Sequence, residues 1–141
     1  MSFIGVLITG GVTTPNYIKV ELYDLSTRAS CTLPDLPEPR FAHSSHDGIL
    51  CGGGVFSPTS TVCKKLINGV WTITHNLSTA RTFHCSWEND PGVSFMLLGG
   101  VNAQSGAIRT TDVVFYNGTV QTGFELAYDA RYEFLRSYFI Y

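Results

Sequence analysis

Hydrophobic residues in this chain fall in short runs, and three of those runs end alike. "GVLIT" leads into Gly10-Gly11, "GILC" into Gly52-Gly53-Gly54, and "VSFMLL" into Gly99-Gly100. Apolar runs of this length bounded by glycine read as strands. They lie 42 to 43 and then 46 to 47 residues apart, which marks a repeat. A second set of segments, "VELYD", "KKLING" and "VVFYNG", alternates apolar and polar positions with the period of a half-buried strand. Asn68-Gly69 and Asn117-Gly118 follow two of them and predict hairpins, because a type I′ turn needs positive φ at both central residues. The strands "VWTIT" and "TVQTGF" come next, and no helical period of useful length interrupts the pattern.

A third marker recurs with nearly the same period. "LPDLPEPRFAH" carries Arg40 and His43, "NLSTARTFH" carries Leu77, Arg81 and His84, and "ELAYDARYEF" carries Arg131 with no histidine. The arginines are 41 and 50 residues apart. Each unit therefore reads as four short strands: one after the arginine, one entering the double glycine, one carrying Tyr23, Ile67 or Tyr116, and one after the hairpin. The units span approximately 1–39, 40–80 and 81–130, and 131–141 supplies the first strand of a further unit or a closing strand. Pro34 and Pro37 stiffen the passage from one unit to the next. A proline-ligand role would need an exposed polyproline II segment, whereas this stretch lies inside a repeat.

Composition supports an all-β fold and narrows function. Val, Ile, Thr, Tyr, Phe and glycine are frequent, a mix that favours strands and tight turns. Charged residues make up only 14% and the net charge is −2, so no basic face is expected to attract nucleic acid. No apolar run reaches the ~18 residues of a membrane-spanning helix. The first residues, "MSFIGVLITGG", lack the positive region and cleavage site of a signal peptide.

The markers together resemble the kelch repeat: a double glycine after an apolar strand, an aromatic ending the next strand, a Trp after the following hairpin, then an arginine. Residues 40 to 71 match best, with Gly52, Gly53 and Trp71 in place but Ile67 where the family prefers Tyr. The first unit has Tyr23 but Ser30 in place of Trp; the third has Tyr116 but Gln121. The finer texture, with "VELYD", "SCTLP" and "LCGGG", resembles divergent kelch repeats of invertebrate extracellular or uncharacterised proteins. The resemblance implies four-stranded antiparallel blades of a β-propeller, here about three, and a non-catalytic protein-binding role. The alternatives it raises are a fragment of a galactose-oxidase-like copper radical oxidase or of an intracellular kelch adaptor. Propellers have about four to eight blades. Three units are therefore expected to belong to a longer propeller or to close as a homodimer. Binding is expected on the segments 12–17, 54–61 and 101–110, which follow the double glycines, because loops on a rigid scaffold carry recognition. The partner is expected to be a protein.

Candidate chemistry is sparse. The four cysteines, Cys31, Cys51, Cys63 and Cys85, lack C-x-x-C zinc spacing. Cys51 and Cys63 lie on adjacent strands and either form a disulfide or remain buried thiols; Cys31 and Cys85 have no evident partner. His43 and His46 are three apart and point to opposite faces of a strand, so His43 and His84 read as packing or hydrogen-bonding residues behind their arginines. Carboxylates are scattered, no Walker or Rossmann glycine pattern appears, and no catalytic residue, metal or cofactor is expected. Asn76 and Asn117 head glycosylation sequons, which with the cysteines lean toward an extracellular setting.

Overall fold

The computed structural model describes residues 5–11, 18–54 and 59–127, so segment 12–17 and Arg131 lie outside the described residues. Thirteen strands are present among the described residues, every paired neighbour is antiparallel, and no α-helix occurs there. The first sheet holds β1 (Gly5–Thr9), β2 (Val20–Asp24) and β3 (Ser30–Thr32) in that order. The second holds β4 (Ser44–His46), β5 (Ile49–Cys51), β6 (Val62–Ile67) and β7 (Val70–Asn76). The chain continues through β8 (Cys85–Asp90), β9 (Ser94–Leu98), a small hairpin of β10 (Val101–Asn102) and β11 (Gly106–Ala107), β12 (Thr110–Phe115) and β13 (Val120–Glu125). Strands β8, β9, β12 and β13 form the third sheet, each hydrogen-bonded to the next.

The turns follow their residues. Asn68 and Gly69 both hold positive φ, 51° and 79°, as a type I′ hairpin requires. Asp47-Gly48 does the same between β4 and β5, with φ of 48° and 75°. Asn117-Gly118 departs from the type I′ expectation, since only Gly118 has positive φ, 100°. Gly118 N–H donates to the Phe115 carbonyl at 3.0 Å, which makes a type I turn followed by a left-handed glycine. The Asn117 side chain accepts from Thr119 N–H at 3.0 Å and holds its own backbone in the turn.

The core lies in the two joints between sheets. Val20 and Leu36 pack with Leu50 at the first joint. At the second, Ile49, Cys51, Cys63 and Leu77 meet Phe95, Leu97 and Val114. Leu36 and Leu77 each precede a marker arginine by four residues, and both are buried on the crossover from one sheet to the next. Proline-bounded residues 33–39 are that crossover at the first joint: Leu36 N–H donates to the Ile18 carbonyl at 2.7 Å. Trp71 Nε1–H donates to the Pro34 carbonyl at 2.8 Å, tying β7 to the preceding crossover.

Candidate functional site

Marker residues build the joints, and the contacts of the arginines, the histidines and several of the glycines recur from one unit to the next. Arg40 Nη1 donates to the carbonyls of Gly52 (2.7 Å) and Val62 (3.1 Å). Arg81 Nη1 donates to those of Gly99 (3.0 Å) and Thr110 (3.1 Å), the same positions one unit on. His43 Nε2 lies 2.6 Å from the Thr9 hydroxyl and His84 Nε2 lies 2.8 Å from that of Ser44, so each histidine bonds to the preceding sheet. A Cβ on Gly10 would meet the Arg40 carbonyl, and one on Gly52 the Arg81 carbonyl. Gly53 and Gly100 press instead against His43 and His84 of their own units. Gly11 N–H donates to the Arg40 carbonyl at 3.4 Å, and Gly99 borders Leu126. Tyr23 pairs across β2 with Val6 and Ser30. Tyr116 packs on Phe95 and donates to Asp47 Oδ2 at 2.6 Å.

The arginines differ in their anions. Arg81 is fully buried and donates to Asp112 Oδ2 at 2.9 Å, with Ser78 donating to the other oxygen. Lys64 occupies the register position of Asp112, so a carboxylate must come from elsewhere. Glu38 supplies it, bonding Arg40 Nη2 at 2.7 Å and Lys64 Nζ at 2.5 Å. Partial burial alone would raise the Glu38 pKa, but the bonds and charges of Lys64 and Arg40 outweigh it and hold the carboxyl below its ordinary value. The carboxylates that looked scattered in sequence are thus organised, two of them around the marker arginines.

Glu38, Arg40, Ser60, Lys64 and Ile73 line an open cleft of about 560 Å³ at the loop end of the second sheet. Two cations flank one carboxylate, which leaves the cleft locally positive. Ala103 N–H donates to Thr59 Oγ1 at 3.3 Å, so the described part of segment 54–61 touches segment 101–110. Residues 55–58 lie outside the described residues. Segment 101–110, expected to be a loop, contains the β10–β11 hairpin. Glu38, Ser60, Lys64 and Asp112 were not expected from the sequence; the available signal was a charged residue at the same inward register of two equivalent strands.

Cys51 and Cys63 are cross-strand partners joined by a disulfide. Cys31 is an exposed free thiol, and Cys85 a half-buried one. Asn76 and Asn117 are exposed, at the end of β7 and in the β12–β13 turn. Among the described residues, no group of three or more His, Cys, Asp or Glu side chains is placed to hold a metal, and no helix is long and apolar enough to cross a membrane.

No family model and no curated protein matches the chain. Among solved structures it is similar to YjhT, with a TM-score of 0.58 and 20% identity. The match covers 75% of this chain and 38% of that one, and at this identity the likeness is one of fold.

Proposed function

We propose that the chain is a run of kelch-type propeller blades that serves as a non-catalytic protein-binding module. The observation that carries this reading is the repetition of the arginine and histidine contacts. Arg40 and Arg81 clamp equivalent pairs of carbonyls, and His43 and His84 each bond to the sheet before their own. Sheets built this way stack by joints of one kind, as blades do, and leave their connecting loops on a shared rim. The Thr59–Ala103 contact supports such a rim, and the positive cleft beside it suits an acidic side chain of a protein partner. The Cys51–Cys63 bridge and the exposed sequon asparagines support an extracellular setting.

Affinity capture tests the binding role. Proteins retained by the immobilised chain should be lost when residues 54–61 and 101–110 are both replaced by Gly-Ser linkers, while the strand-rich circular-dichroism spectrum persists. Retention of the same partners by the replaced chain would refute recognition by the rim.

A further inference from the structure

The two marker arginines are neutralised to different degrees. Asp112 pairs with Leu97 in register, and Lys64 holds the equivalent place opposite Leu50. Arg81 and Asp112 are both fully buried and cancel each other. The Arg40 and Lys64 side chains are also largely buried, 3% and 12% exposed, but they share the single carboxylate of Glu38. Burial opposes the ionisation of Glu38, yet the bonds and charges of Lys64 and Arg40 prevail and keep it charged at neutral pH. Two cations against one carboxylate leave one positive charge in excess. No other carboxylate among the described residues bonds either cation. Residues 55–58, Val-Phe-Ser-Pro, carry no charge that could balance it.

Hydrogen-bond donors point to the same deficit. Two hydrogens of the Lys64 ammonium go to the Glu38 oxygens, at 2.6 and 2.5 Å, and the third has no acceptor among the described residues. Ser60 Oγ accepts from Val62 N–H at 3.1 Å and from Arg40 Nη2 at 3.4 Å. Its lone pairs are taken, and its hydroxyl hydrogen is left to donate, with no acceptor among the described residues. Lys64 and Ser60 both line the open cleft of about 560 Å³. Pro39, Val62 and Ile73 give that cleft an apolar wall, and Ile73 is 56% exposed. A few convergent polar groups against an apolar wall are the usual make-up of a ligand site.

We propose that this cleft is a carboxylate-binding site. Lys64 Nζ and Ser60 Oγ donate to a carboxylate of a partner polypeptide, and an apolar neighbour of that carboxylate lies on Ile73. The site rests on the protein-binding reading and supplies the chemistry of what is bound. A carboxylate fits better than a phosphate. One negative charge cancels the excess, whereas a phosphate, with nearly two, overshoots it and is repelled by Glu38. A side chain and a chain terminus offer the same group, and peptides tell them apart.

NMR titration of the intact chain with the acetylated, amidated peptide Gly-Val-Glu-Val-Gly tests the site. The backbone amides of Ser60 and Lys64 should shift, and glutamine in place of the glutamate should weaken binding roughly tenfold or more, as for a lost charge-assisted hydrogen bond. An acid-free peptide with a free C-terminus identifies a terminal carboxylate by binding more tightly than the glutamate peptide, and a side chain by binding more weakly. Glu38→Thr with Lys64→Asp copies Thr79 and Asp112 of the second joint and gives Arg40 an in-strand carboxylate. That variant should keep the strand-rich circular-dichroism spectrum and lose binding by a similar factor, because the excess charge is gone. The glutamate–glutamine contrast uses the wild-type chain and needs no folded variant. Equal affinity for those two peptides, no shift at millimolar peptide, a double variant that binds like wild type, or tighter binding of a phosphoserine peptide would each overturn the proposal. The titration involves no captured protein. Binding in the cleft together with unchanged capture by the loop-replaced chain would therefore refute the rim and uphold the site.

Discussion

Gly52 and Gly69 share a left-handed backbone, with φ of 64° and 79°, yet their surroundings differ. A Cβ on Gly69 would meet nothing within 4 Å, whereas one on Gly52 would lie 2.5 Å from the Arg81 carbonyl and 2.7 Å from the His84 ring. Gly69→Ala should therefore cost only the strain of the left-handed conformation, about 1 kcal/mol. Gly52→Ala adds an overpacked joint and should cost about 3 kcal/mol or more. Urea unfolding of the two variants checks the contrast, and equal losses would remove the joint as the reason for this glycine. Both residues were marked in sequence, one by the double glycine and one by Asn-Gly. What presses on Gly52 was not legible, because Arg81 and His84 are about thirty residues away along the chain and meet it only across a joint.

At the scale of elements, turn chemistry and periodicity placed the strands of each sheet, while side chains reshaped two connections. In 101–110 the Asn102 side chain accepts from Gln104 and Ser105 N–H and folds what reads as a loop into the β10–β11 hairpin. In 115–119 the Asn117 side chain replaces the expected type I′ turn. The strongest local fastening is Cys51–Cys63, which joins β5 to β6 at a sequence separation of 12. Closing a loop of that size removes chain entropy from the unfolded state worth about 3 kcal/mol. Reductant, or Cys51→Ala with Cys63→Ala, should lower the unfolding free energy by about that amount. Intact mass with and without thiol alkylation reports the bond directly, and alkylation of all four cysteines in the unreduced, unfolded chain would count against it.

For the whole molecule, the joints make stability sensitive to acid. Burial and the Arg40 charge push the His43 pKa down to about 4. Burial, Arg81 and His43 push that of His84 down to about 3. The unfolded chain takes up protons near the ordinary value of about 6.5, and the folded chain refuses them. Stability is therefore complete above about pH 6.5 and declines as the pH falls toward these lowered values, by about 2 kcal/mol per histidine between pH 7 and pH 5. Glu38, with its lowered pKa, stabilises the fold above the ordinary carboxylate range, and that contribution is lost only at more acid pH. Urea unfolding at pH 7 and pH 5 should show the loss, and His84→Gln should reduce it. A flat profile between those values would exclude the buried neutral histidines as acid-sensitive joints. Because each histidine binds the preceding sheet, through Thr9 or Ser44, the loss should appear as separation of sheets and not as fraying of one.

By itself the sequence determined the all-β class and the position of most strands. Those features rest on local rules: side chains alternate along a strand, glycine alone reaches certain backbone angles cheaply, and a repeat copies both. Only the tertiary structure decided which groups answer those markers. The Arg81–Asp112 pair and the sharing of Glu38 between Arg40 and Lys64 depend on residues far apart in sequence being brought together. A local pattern can require a buried arginine to have an anion, because an unpaired buried charge is costly, but it cannot say which residue will be within reach.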